Sequence, residues 1–122
     1  MPLCEDIITS RYSIQAYDSD QITINERQYF KSLILTANQL IDDWPVTSVN
    51  AMTVDNLTPV FSLKPDVVLL GTGEHQIFPG FEILSAFAEK GLGIEVMNTG
   101  ALCRTFNILV AEDRNVAAAI IK

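Results

Sequence analysis

The run Asp66-Val67-Val68-Leu69-Leu70-Gly71-Thr72-Gly73 constrains the fold more than any other stretch of this chain. Four consecutive apolar residues closed by a glycine turn read as a strand that must be covered on both faces, which places it in the middle of a sheet. The next segment, "PGFEILSAFAEKG", opens with Pro79 where the first helical turn tolerates it and closes on Lys90-Gly91; Phe81, Leu84, Phe87 and Ala88 recur between them as an apolar face at helical spacing. "LGIEVM" then reads as a second strand. Strand, helix, strand and helix at these lengths predict a βαβ unit with parallel strands and a right-handed crossover, and so an α/β fold.

The second helix of that unit lies in "MNTGALCRTFNILVAEDR", residues 97–114, after a polar turn in which Asn98 or Thr99 serves as N-cap. Upstream, Tyr12, Ile14 and Ala16, then Ile22 and Ile24, then Leu33, Leu35 and Ala37 alternate with polar residues. Asp18-Ser19-Asp20 and Asn25-Glu26-Arg27 separate these runs, so the first third is expected to be an antiparallel β-meander with one buried face. Trp44-Pro45 ends that pattern. Thr53 is placed to cap a short helix with Asp55 in its first turn and Leu57, Val60 and Phe61 inward, which Pro59 weakens or delays. The final "NVAAAIIK" fits a helix by alanine content and a strand by its shortness and its paired isoleucines.

With 122 residues, 48% of them hydrophobic, and no low-complexity tract, the chain is expected to be one domain over residues 11–122 behind a flexible tail of residues 1–10. Fifteen acidic against eight basic residues give a net charge of −7, which repels a phosphate backbone and argues against nucleic acid as a partner. No apolar run approaches the length of a membrane span, and "MPLCEDIITSRY" lacks signal or transit character, so a cytoplasmic protein is expected. Cys4 and Cys103 are too few and too far apart for a disulfide framework; one histidine and no CxxC argue against a metal site, and nothing calls for a cofactor.

Candidate chemistry gathers around the glycine turn. Gly71-Thr72-Gly73 ends a central strand, where open α/β sheets bind ligands, but Gln76 stands where a dinucleotide fingerprint needs glycine. A tight turn with close helix packing is the plainer reading. His75 reads as an exposed loop residue, Ser85 lacks a nucleophile elbow, and Asp42-Asp43 and Glu112-Asp113 read as solvated pairs. Arg104 is different: a cation within two turns of a helix start opposes the macrodipole, and Asn107 lies three residues on. A buried guanidinium neutralised by Glu95, Glu112, Asp113 or an anionic ligand is therefore expected.

The residues "VVLLGTG", "MNTGALCRTFNIL" and "DR.VAAAI", preceded by "YSI.AY", "I.IN" and "SLIL", resemble the Mth938-like (DUF498) family over residues 11–122. The eukaryotic branch of that family includes mitochondrial respiratory complex I assembly factor 3. The resemblance implies a three-layer fold, with a central mixed β-sheet, flanking helices and an additional N-terminal β layer. It implies that residues 115–121 form an antiparallel strand of the sheet, and that Arg104, Asn107 and Arg114 gather near the glycine turn. It also implies a non-catalytic protein-binding or assembly module with a protein partner, which a homo-oligomer could supply. The alternative is a small-molecule protein or enzyme that holds an anion or nucleotide among Gly71, Thr72, Gly73, His75, Thr99, Arg104, Asn107 and Arg114.

Overall fold

A computed structural model describes residues 11–122; Cys4 and the expected tail of residues 1–10 lie outside the described residues. β1 (Ile14–Tyr17), β2 (Ile22–Ile24) and β3 (Arg27–Tyr29) form an antiparallel sheet in chain order. β4 (Leu33–Leu35) and β5 (Leu40–Ile41) enter a second sheet, and a 3-10 turn at Val54–Leu57 runs into α1 (Thr58–Ser62). β6 (Val67–Gly71), α2 (Phe81–Glu89), β7 (Gly93–Met97), α3 (Thr99–Ala111) and β8 (Val116–Ile120) complete the chain. The second sheet has the order β5-β4-β8-β6-β7.

The meander holds for its first two runs, and its third strand is Arg27–Tyr29, which begins where the sequence suggests a turn. Asn25 and Glu26 both take positive φ, 49° and 71°, the two-residue turn whose twist matches antiparallel strands. The third apolar run, expected in the meander with one wet face, instead joins the other sheet because it has no wet face: Leu33, Ile34 and Leu35 are all buried. Leu33 and Leu35 pack with α3, whereas Ile34 packs on the opposite side with Trp44, Val68, Leu70, Ile83 and Phe87. The larger sheet thus separates two cores. The 3-10 turn, α1 and α2 cover one face, and α3 with the three-stranded sheet covers the other.

β6 is the expected central strand, parallel to β7 on one side and to β8 on the other. β8 is a strand and is antiparallel only to β4, so the expected orientation needs correction for its other edge. Its alanines suit this position. Ala117 and Ala119 face one core, Ala118 the other, and small side chains let layers close on a strand buried on both faces. The apolar face expected on α2 is also corrected. Ile83 and Phe87 form the buried stripe, while Phe81, Leu84 and Ala88 face solvent. Both stripes recur at helical spacing, and the pattern alone does not say which is buried.

Candidate functional site

Because β6, β7 and β8 run parallel, their carboxyl ends lie along one edge of the sheet, where ligand crevices of open α/β sheets form. A cleft of about 780 Å³ lies there, within the volume range of small-molecule sites. Its walls come from Thr72 and Gly73 after β6, Asn98, Thr99 and Gly100 after β7, Ile121 and Lys122 after β8, and the segments 17–19 and 47–49.

Asn98 is the N-cap of α3: its Oδ1 accepts the Ala101 N–H at 2.8 Å. Thr99 is buried and clamps the helix to the glycine turn. Its N–H donates to the Gly73 carbonyl at 2.8 Å, and its Oγ1 accepts the Gly73 N–H at 3.1 Å. Gly73 can sit there because its φ is +95°, a conformation that side chains rarely adopt. Thr72 Oγ1 donates to the His75 carbonyl and accepts the Ile77 N–H at 3.1 Å, so this hydroxyl holds the bend that follows. Gly100 lies beneath the Tyr17 hydroxyl, where any Cβ would collide with Tyr17 Oη.

Lys122 closes the opposite wall. Its Nζ donates to the carbonyls of Asp18 at 2.6 Å and Gln21 at 3.0 Å, tying the β1–β2 turn over the cleft. Burial lowers the pKa of this ammonium, partly countered by the Asp18 charge. The Asp18 carboxyl is held below its usual range chiefly by the Asp20 N–H, with help from Gln21. Two acids, Asp18 and Glu74, and one base, Lys122, line the cleft, so polar hydrogen bonding and the α3 N-terminus outweigh net charge there.

Three of the residues expected at this site, Thr72, Gly73 and Thr99, line the cleft. Gly71 lies behind it, under α3, where a Cβ would come within 2.9 Å of Leu102 Cδ1. His75 is exposed on the loop and contributes its carbonyl to Thr72. The other three lie elsewhere. Arg104 is exposed, with no acidic partner among the described residues, so the expected buried ion pair is absent; the residue occupies the solvent face of α3 with Ile108 and Ala111. Asn107 reaches β1: its Oδ1 accepts the Ile14 N–H at 3.0 Å and its Nδ2 donates to the Ile14 carbonyl at 2.7 Å. Arg114 is exposed at the far end of the sheet, since Val116 pairs with Val67 whereas Ile120 pairs with Gly71. Sequence reasoning missed Tyr17, Lys122 and Gly100 as wall residues. Only Gly100 carried a signal, being a glycine inside a helix and hence a mark of close approach.

Cys103 is buried and free, and its thiol is pushed up to about 11, burial being the main cause. A protonated buried thiol is no nucleophile at neutral pH. Among the described residues no three His, Cys, Asp or Glu side chains come together as a metal site would require. No helix among them is long and apolar enough to cross a membrane.

A second feature lies beside the cleft. Ile77 lines the cleft and begins an exposed apolar surface that continues through Phe78, 64% exposed, to Phe81, 84% exposed, and Leu84. The two phenylalanines alone offer on the order of 300 Å² to solvent, the range in which monomer surface patches are often functional.

Fold and cleft together define a small three-layer α/β protein of the Mth938-like kind. The model of the family described as "Protein of unknown function (DUF498/DUF598)" matches residues 14–121, and the chain belongs to that family. It is 30% identical over 122 residues to the "13 kDa major membrane protein" of Francisella tularensis subsp. holarctica (strain LVS), covering 99% of each chain. It is 31% identical over 110 residues to NADH dehydrogenase (ubiquinone) 1 alpha subcomplex assembly factor 3 of Rattus norvegicus, covering 88% of this chain and 59% of that protein. The solution structure of a Mth938-like domain from Bordetella pertussis aligns with a TM-score of 0.78 at 26% identity, covering 93% of this chain and 86% of that one.

Proposed function

We propose that the protein is a non-catalytic assembly module that works by binding another protein, with respiratory complex assembly as its setting. The observation that carries this reading is the solvent-facing surface of Ile77, Phe78, Phe81 and Leu84, which packs against nothing among the described residues that would bury it. The kinship with a respiratory assembly factor supports it, although that relative is much longer than the matched region. The expected outcome of affinity capture from native extract is recovery of a respiratory subunit or assembly protein; its absence under conditions that preserve the complexes would overturn the reading. The cytoplasm is the compartment that goes with this reading, and cell fractionation tests it directly.

The cleft supports a second reading, a small polar or anionic ligand held by the α3 N-terminus, Thr99 and Gly73. A thermal-shift screen of nucleotides, phosphate esters and carboxylates tests it, because a ligand that binds only the native state raises Tm. A hit that disappears in Gly100→Val places the ligand in the cleft; no hit in any class removes this reading.

A further inference from the structure

The structure assigns the solvent face of α2 and the loop before it as a docking surface for a basic amphipathic helix of a partner protein. The assignment rests on the assembly-module reading and adds where the partner binds and what chemistry it presents. At 3.6 residues per turn, Phe81, Leu84 and Ala88 align along one side of α2, and Glu82 and Glu89, two turns apart, share the flank roughly 90° from Phe81. All five are exposed. The helix therefore presents to water an apolar ridge with acids along one flank, roughly 110° around the axis from the stripe of Ile83 and Phe87 that already anchors it to the sheet. Ile77 and Phe78 lengthen the ridge toward the cleft, with Glu74 at its margin.

Charge decides the kind of partner. No lysine or arginine occurs between Lys64 and Lys90, while Glu74, Glu82 and Glu89 border the ridge. Lys90 is held away from it, with Nζ 5.0 Å from the centre of the Phe61 ring. Glu89 lies in the last turn of α2, just before the C-cap Lys90, and adds to the acidic flank. An anionic bilayer would be repelled by this flank and by a net charge of −7. A helix with apolar residues at i, i+3, i+4 and i+7 and lysines or arginines along its flanks meets both features of the surface.

The test uses a labelled synthetic amphipathic helix with a leucine face and lysine flanks, and a twin in which every lysine is glutamate. Anisotropy titrations compare the wild-type chain with the double variant Phe78→Ser, Phe81→Ser, whose exposed positions leave Tm unchanged. The lysine peptide should bind the wild-type chain, lose at least about tenfold in affinity for the variant and weaken as salt rises. The glutamate twin should not bind. In Glu82→Gln, Glu89→Gln the salt dependence should flatten while the Phe contacts remain. Equal binding of the lysine peptide to wild type and variant would overturn the assignment, as would equal binding of the two peptides. Flotation of the wild-type chain with anionic vesicles, lost in the double variant, would replace the protein partner by a membrane. A wild-type dimer that the variant cannot form in sedimentation would replace it by a second copy. The two readings fail separately: capture of the same respiratory protein by wild type and variant sinks the surface and leaves the assembly module, whereas capture by neither sinks the module while the peptide titration still decides the surface.

Discussion

Arg104 and Asn107 show how much three residues of helix separate. At about 100° per residue they stand roughly 60° apart around α3, enough for one side chain to face water while the other reaches β1. Spacing placed both on one flank of the helix and could not tell which would be bonded. The structure makes Asn107 a surrogate strand, pairing with both backbone groups of Ile14 at the free edge of the three-stranded sheet, and leaves Arg104 as solvent-facing polar surface. Asn107→Ala is expected to lower stability by about 2 kcal/mol, two backbone bonds at roughly 1 kcal/mol each. Arg104→Ala should stay within about 0.5 kcal/mol of wild type, the range of surface substitutions. Chemical denaturation of the two variants checks both, and the opposite ranking would mean that Arg104 is the paired residue after all.

Element by element, the chain was legible where its pattern admits a single reading. Val67–Leu70 with its glycines forms as its residues dictate; the turn expected at Asn25-Glu26-Arg27 closes at Asn25-Glu26, and of the two caps left open, Asn98 and Thr99, the chain uses Asn98. It was illegible where two readings share one pattern. Two apolar stripes of α2 both recur at helical spacing, and three alanines suit a helix as well as the crowded centre of a sheet. The site was legible at Thr72, Gly73 and Thr99, which adjoin in sequence the strand and helix that hold them. Tyr17 and Lys122 come from distant strands that only the sheet order brings near. The two tight glycines also differ in what surrounds them. Gly71→Ala forces a methyl against Leu102 in the core and should cost about 1–3 kcal/mol. Part of that loss should disappear in Gly71→Ala measured on a Leu102→Ala background, as a shared contact requires. Gly100→Ala meets only the hydroxyl end of Tyr17, nearly half exposed and free to swing outward, so its loss should be under about 1 kcal/mol while the cleft changes shape.

At the scale of the whole molecule, the small sheet packs on the body of the fold through Ile14, Ile22 and Ile24, and polar links tie its margins: Asn107 to Ile14, Arg11 to Asp113, the Tyr12 N–H to the Ala37 carbonyl at 2.8 Å, and Lys122 to the β1–β2 turn. That turn is also a wall of the cleft. Lys122→Met should therefore speed amide exchange at residues 18–21 by about tenfold, the loss of charged hydrogen bonds worth roughly 1.4 kcal/mol, and leave β6 protected. Uniform acceleration would show that the link supports the whole fold rather than the cleft wall. The same two groups that sit inside the body, Cys103 and Lys122, set its response to alkali in opposite directions. The Cys103 thiol is raised from 9.0 to about 11, so the native state keeps a proton that the unfolded chain releases, and stability falls as pH climbs from 9 through 11. The Lys122 ammonium is lowered from 10.5, so the unfolded chain keeps the proton longer, and its contribution rises with pH below 10.5. The thiol carries the stronger shift, and the wild-type Tm should decline over pH 9–11. In Cys103→Ala the decline should flatten or reverse, because among the described residues Lys122 is then the alkaline group whose shift remains; an unaltered slope would mean that the thiol ionises as readily in the folded chain as in the unfolded one.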